Sequence, residues 1–166
     1  MTTLIILPRG YLSWSAFDLW RSSKASFRKR YYENGPSLNT PELRFGKMIS
    51  ELLEKDPDNE AIRHIPRFSV PEQELDVMIS GVRLKGQPDT FEPSLAKFGE
   101  YKTGVAPWDR VRVAKHKQLP WYAMLIEAQY GWYDPEVMLH WLQTELVKQE
   151  VDEKGIAWEV HGKKIR

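Results

Sequence analysis

Apolar residues in the first third of the chain recur at helical spacing. Between Ala16 and about Tyr32, the residues Phe17, Trp20, Phe27 and Tyr31 punctuate a polar run; Ser13 or Ser15 stands where an N-cap belongs, and Asn34-Gly35-Pro36 ends the segment. A second helix is predicted from Pro41, a favoured first-turn residue. It sets Phe45, Met48, Ile49, Leu52 and Leu53 on one stripe, with Gly46, Ser50 and Glu54 in line along its flank. Lys55-Asp56-Pro57-Asp58 reads as a loop, and the period then shortens. Leu75, Val77 and Ile79 alternate as a strand, Gly81 and Lys85-Gly86 read as turns, a short strand is expected around Asp89-Thr90-Phe91, and Phe98 to Thr103 forms a third strand. A long helical stretch from about Asp109 to Tyr130 should break or kink at Pro120. Val137, Leu139 and Trp141 then alternate. Gly155, between Val147-Lys148-Gln149 and Ile156-Ala157-Trp158, predicts a terminal hairpin. The order helix, helix, three strands, helix, strand, hairpin predicts a mixed α/β (α+β) domain.

At 166 residues the chain reads as one domain, 1–166, with a core over about 12–145 and the hairpin over about 146–166. No linker or repeat divides it. A domain this long buries roughly 70% of its unfolded surface and needs no staple to fold. Cysteine is absent, which excludes a Cys-ligated iron–sulfur cluster, a cysteine zinc site and a thiol nucleophile, and suits a reducing cytoplasm. Leu4-Ile5-Ile6-Leu7, ended by Pro8, is too short for a signal-peptide core or a membrane span, so a cytoplasmic location is expected. The net charge of +1 hides two basic clusters: Arg21, Lys24, Arg28, Lys29 and Arg30, and Arg110, Arg112, Lys115 and Lys117. Such clusters are usually solvated helix faces. Flanking a carboxylate site, they would form a phosphate-binding rim.

The candidate chemistry lies in the strands. Glu100 and Lys102 alternate with Tyr101 and so share one face. Pro88 cannot donate to a ladder and marks a strand end or bulge, where Asp89 can splay toward a neighbouring strand. Two carboxylates converging beside an ammonium can hold Mg²⁺, with the Tyr101 backbone carbonyl as a further oxygen ligand. A divalent ion there would lower the pKa of an attacking water and neutralise charge on phosphoryl oxygens, while Lys102 orients or deprotonates that water. Read alone, an Asp in a turn and an alternating Glu and Lys are ordinary strand residues.

The sequence context changes that weighting. Pro88-Asp89, ten intervening residues, then Glu100-Tyr101-Lys102 resembles the signature of the PD-(D/E)XK nuclease superfamily. Three further segments resemble its RecB-like branch, which includes recombination-helicase nuclease domains, CRISPR-adaptation exonucleases and many phage nucleases. Leu12-Ser13-Trp14-Ser15-Ala16-Phe17 is similar to the branch's Ser-x-Ser opening. Phe45-Gly46-Lys47-Met48-Ile49-Ser50-Glu51-Leu52-Leu53-Glu54 resembles its Gly-x-x-x-His-x-x-Leu-Glu helix, and Gln118-Leu119-Pro120-Trp121-Tyr122 its Gln-x-x-x-Tyr motif. The pieces run in order from residue 12 to about 130. The resemblance implies a restriction-endonuclease-like core with a central mixed sheet flanked by helices.

It also implies a clusterless Mg²⁺- or Mn²⁺-dependent DNA nuclease using one or two ions, with Gln118 and Tyr122 positioning the strand. The branch often carries a histidine ligand where this chain has Ser50. Glu54, one turn further along the same line, is the first choice to replace it; Glu51 is displaced by about 100° per residue around the helix, and both can simply face solvent. Pro120 complicates the Gln118–Tyr122 pair, which can straddle a kink or a helix start, and Tyr122 also reads as a half-buried core tyrosine. His116 reads as a surface residue, and Trp108 and Trp121 as packing residues in preference to base-stacking ones.

Exonuclease action on DNA ends fits the branch best. A structure- or sequence-specific endonuclease, a non-catalytic DNA-binding recombination accessory module and an RNA nuclease stay open as alternatives. A recombinase, a helicase or a single-strand-binding protein is a candidate partner, and a homo-oligomer a candidate assembly, because no motor domain is legible in the chain.

Overall fold

The computed structural model describes residues 7–37, 40–60, 62–146, 158–160 and 163–165. The architecture is mixed α+β, two sheets flanked by helices. One sheet has three strands in the order β1 (Leu12–Ser13), β4 (Val82–Gly86), β3 (Leu75–Ile79). The other has six, in the order β2 (Val70–Pro71), β5 (Thr90–Glu92), β6 (Lys97–Gly104), β7 (Glu136–Leu146), β8 (Trp158–Val160), β9 (Lys163–Ile165). Among the described residues five α-helices accompany them: α1 (Trp14–Ser22), α2 (Lys24–Tyr31), α3 (Pro41–Lys55), α4 (Arg110–Lys115) and α5 (Gln118–Tyr130). Among the described residues no helix is long and apolar enough to cross a membrane.

The first predicted helix is in fact two. Ser23, with extended backbone, closes α1 through its N–H to the Leu19 carbonyl and opens α2 by accepting from the Ser26 N–H with its side chain. A serine that satisfies both termini makes a break that hydrophobic spacing does not reveal. The helix from Pro41 forms as predicted. Thr40 caps it, and it buries Phe45, Ile49 and Leu53 against Ile62, Ile65 and Leu142.

The long stretch after Asp109 also divides, but at His116–Lys117 and not at Pro120. Pro120 falls in the first turn of α5, where a missing N–H leaves no helical bond unmade. Lys85-Gly86 is no turn: Gly86 ends β4 opposite Leu75. A Cβ there would stand 2.7 Å from Leu125 Cδ1 and 2.9 Å from the Tyr122 ring, so the glycine lets α5 lie close on the sheet. The turn at Gly81 forms as predicted, with Ser80 and Gly81 both at positive φ as a tight hairpin requires. β7 forms as predicted, and its end pairs antiparallel with β8; Val147-Lys148-Gln149 and Gly155 of the predicted terminal hairpin lie outside the described residues. The additional β8–β9 pairing and the two short strands β1 and β2 had no sequence signal.

β6 is the central element. Its Phe98 joins the main core of Leu75, Leu84, Phe91, Leu125 and Ile126 beneath α5, whereas Tyr101 packs with the α3 cluster. The alternation of a strand therefore sends Phe98, Glu100 and Lys102 toward α5, and Tyr101 toward α3. After the helical passage from β1 to β2, the chain crosses between the two sheets by two short links, from β2 to β3 through Glu72 and from β4 to β5 through Gln87-Pro88-Asp89. The crossings are tied where the Glu72 N–H donates to the Asp89 carbonyl at 3.2 Å.

Candidate active site

Asp89 sits at that crossing because Pro88, fully buried and without a donor, ends the pairing before β5 begins. β5 pairs with β6 only as far as Gly99, so the edge of β6 beyond it is open. Asp89 fills the gap: its Oδ2 accepts from the Tyr101 N–H at 2.7 Å. A strand residue directs its N–H and C=O to the same side, so the Tyr101 carbonyl lies on the edge that Asp89 occupies.

Glu100 is 4% exposed. Its Oε1 accepts from Lys102 Nζ at 2.6 Å, Lys102 Nζ also donates to Gln118 Oε1 at 2.9 Å, and Gln118 Nε2 donates to the Tyr122 hydroxyl at 2.7 Å. The spacing of Gln118 and Tyr122, i and i+4 on α5, makes this relay possible. Glu100 Oε2 is buried with no hydrogen-bond partner. Burial, and then the nearby Asp89 charge, push Glu100 up to about 7, and burial raises Asp89 as well. Tyr122, buried beside these acids, is pushed above the usual tyrosine range.

Two desolvated carboxylates, Glu100 raised further by the Asp89 charge and carrying an orphaned oxygen, with a strand carbonyl beside them, make a donor set that fits a hard divalent cation.

Glu54 is exposed on the last turn of α3 and lines a cavity of about 260 Å³ that Asp89, Tyr101 and Ser50 also line. It approaches from the α3 side of β6, opposite Glu100 and Lys102. Glu51 is exposed and pairs with Lys47 at 3.6 Å. Among the described residues no three acid or imidazole groups converge as a ready metal site. The structure thus brings Asp89, Glu100, Tyr101, Lys102, Gln118 and Tyr122 together, and leaves Glu54 lining the cavity beside Asp89 and Tyr101.

Glu72 escaped the sequence reading, and His116, read there as a surface residue, is corrected by the structure. Glu72 lines the same cavity; its charge acts to raise Asp89, and its carboxylate accepts from Gln87 Nε2 at 3.1 Å. Its φ of +47° belongs to a conformation that glutamate seldom adopts, so no turn signal marks it. His116 is half-buried and stands edge-on to Trp108 at 4.8 Å. Burial and then the Lys102 charge push it down to about 4. A surface histidine would not feel Lys102; the break before α5 turns this one inward. Trp121 is buried in the core, in keeping with a packing role.

On the α5 side, Ser13, Ser15, Lys85, Gln87, Gln118 and Tyr122 line a second, polar cavity of about 420 Å³. Lys85 is held there by Glu74 and by Asp76, the latter at 3.1 Å.

No protein-family profile matches the chain, and no curated protein matches it. A solved structure does: a crystal structure of a "putative exonuclease" from Eubacterium rectale superposes with a TM-score of 0.60 at 10% identity, over 82% of this chain and 68% of the other. At that identity the likeness is one of fold. The chain shares a fold with that protein, and function has to be argued from the site.

Proposed function

We propose that the chain is a Mg²⁺- or Mn²⁺-dependent deoxyribonuclease of the PD-(D/E)XK type, RecB-like and clusterless, hydrolysing phosphodiester bonds from DNA ends. The observation that carries this reading is the hydrogen-bonded set Glu100, Lys102, Gln118 and Tyr122, with an unpartnered Glu100 oxygen and the Asp89 charge beside it. Asp89, Glu100 and the Tyr101 carbonyl would hold one or two ions, with Glu54, which lines the same cavity as Asp89, as the candidate ligand from α3. When bound, the ion supplies Lewis acidity toward water and the scissile phosphate.

The chain's own groups do the rest. Lys102 is fixed by Glu100 on one side and Gln118 on the other, so its ammonium is aimed without rotamer search at a phosphate or at the attacking water. With the Glu100 charge shared by a bound cation, the Lys102 ammonium would be free to stabilise the negative charge that develops on phosphorus oxygens. Gln118 and Tyr122 position a strand entering through the polar cavity of about 420 Å³ that they line.

Two observations favour action on ends: the likeness in fold to the E. rectale protein and the resemblance to exonucleases in sequence. Linear and covalently closed circular duplexes, incubated with Mg²⁺, Mn²⁺ or EDTA, provide the test. Release of nucleotides from the linear form alone, and only with metal, is expected. Cutting of closed circles would replace the exonuclease with an endonuclease, and binding without cleavage in either metal would leave an accessory module.

A further inference from the structure

Residues that the nuclease chemistry leaves unused concentrate on α1 and α2. The eight-residue α2 buries none of its residues, although it carries Phe27 and Tyr31 and is followed by Tyr32. A helix of that length is marginal by itself in water. From Arg9 to Glu33 there are six basic side chains and two acidic ones, a net of +4 in a chain of net +1. Asp18 and Glu33 engage Arg21 and Arg28, at 2.9 and 3.0 Å. Three other cations lie over rings: Arg9 and Arg30 at 4.9 and 5.6 Å from the Tyr31 centroid, and Lys24 at 5.6 Å from Trp20.

The aromatic residues form a ladder. Buried Trp121 on α5 stacks on Phe17 at 5.6 Å and 23°, Phe17 stacks on Trp20 at 6.1 Å and 27°, and Trp20 is 44% exposed. The ladder therefore starts beside Tyr122 and ends at the surface in an indole with an ammonium next to it. Phe27 lies 5.0 Å from Tyr31 and 6.1 Å from Tyr32, a second aromatic group on the same arm. Ser13 and Ser15, at the start of α1, line the polar cavity shared with Gln118 and Tyr122, so the arm is continuous with the candidate active site.

We propose that the α1–α2 arm is a platform for single-stranded DNA leading to or from that site. Bases stack on Trp20 and on the Tyr31–Tyr32 edge, while Lys24, Lys29 and Arg30 follow the phosphates. Exposed rings flanked by cations suit unpaired bases, whose faces are free, better than a duplex, whose faces are stacked. A protein partner would avoid so much like charge at the centre of its interface. The platform rests on the reading of the chain as an enzyme of DNA.

The test is fluorescence anisotropy of a labelled oligothymidylate of about 15 nucleotides with the full chain in EDTA, across a salt series. Trp20→Ala should weaken binding about tenfold and Trp20→Phe should restore most of it, each with unchanged circular dichroism. Lys24→Gln with Lys29→Gln should lower the log–log salt slope by about 1.4. Trp20→Ala should hydrolyse bis(p-nitrophenyl) phosphate with Mn²⁺ as fast as wild type. Wild-type affinity in Trp20→Ala would overturn the platform. So would equally tight binding of a blunt duplex, or a changed oligomeric state at unchanged DNA affinity. Failure of the wild type to hydrolyse the small diester would instead count against the nuclease reading, separately from the binding result.

Discussion

Replacing Glu100 by glutamine isolates the electrostatic strain at the centre of the site. The side chain is 4% exposed, and its pKa is pushed from 4.5 to about 7 by burial and by Asp89. A carboxyl group whose folded pKa is raised contributes stability that is fully present below about 4.5 and is lost as pH rises through about 7. At about 1.4 kcal/mol per unit, ionising Glu100 in the metal-free protein costs about 3 kcal/mol by pH 8, an upper figure because the charge is shared with Asp89. Glutamine keeps the shape and the acceptor for Lys102 but carries no charge. Its buried amide adds a pH-independent penalty of about 1 kcal/mol if unpaired. The diagnostic quantity is therefore the slope. In EDTA, Tm of Glu100→Gln minus Tm of wild type should rise by about 5 to 10 °C between pH 5 and pH 8, about 2.5 kcal/mol of the loss falling in that interval, taking 2–4 °C per kcal/mol for a chain of this size. Differential scanning calorimetry measures it directly. Saturating Mg²⁺ at pH 8 should raise Tm in the wild type and leave the variant nearly unmoved. A Tm difference that is constant across pH would refute the inferred desolvation of Glu100, and equal metal stabilisation of both proteins would refute its role as a ligand.

Other consequences follow from the same geometry. Metal-supported cleavage should rise with pH through about 7, because the cation competes with the proton on Glu100; a flat profile from pH 5.5 to 8 would contradict this. Gln118→Ala removes the link between Lys102 and Tyr122 and should lower the cleavage rate by about 10- to 100-fold with Tm changed by only a few degrees. Gly86→Ala drives a methyl group into Tyr122 and Leu125 and should cost about 1–3 kcal/mol in urea unfolding. Phe98→Ala, fully buried beneath α5, should cost about 3–5 kcal/mol in the same assay.

The sequence-level signals succeeded where a local pattern and a tertiary role coincide. The stripe of Phe45, Ile49 and Leu53 has only one way to be buried, and Glu100, Tyr101 and Lys102 divide between two faces because a strand's period leaves no choice. The signals failed where one residue serves two elements. Ser23 ends one helix and starts the next, and Gly86 looks like a turn residue although it is there for the approach of α5. Pro120 looked like a helix breaker, and a first-turn position made it harmless. Within the site, the residues carried by β6 and α5 were legible. The environment of Glu54, the left-handed Glu72 and the inward turn of His116 were not, because each depends on a crossing or a break that local spacing does not encode.

Single-turnover cleavage of end-labelled linear DNA, with wild type and Lys102→Ala side by side in Mn²⁺, Mg²⁺ or EDTA, tests the proposed chemistry most directly. The expected result is metal-dependent release of nucleotides by the wild type and a loss of at least about 100-fold in the variant, the scale of a positioned acid–base or charge-stabilising group. Equal rates in the two proteins, or no cleavage by the wild type in either metal, would contradict a nuclease site built on Asp89, Glu100 and Lys102.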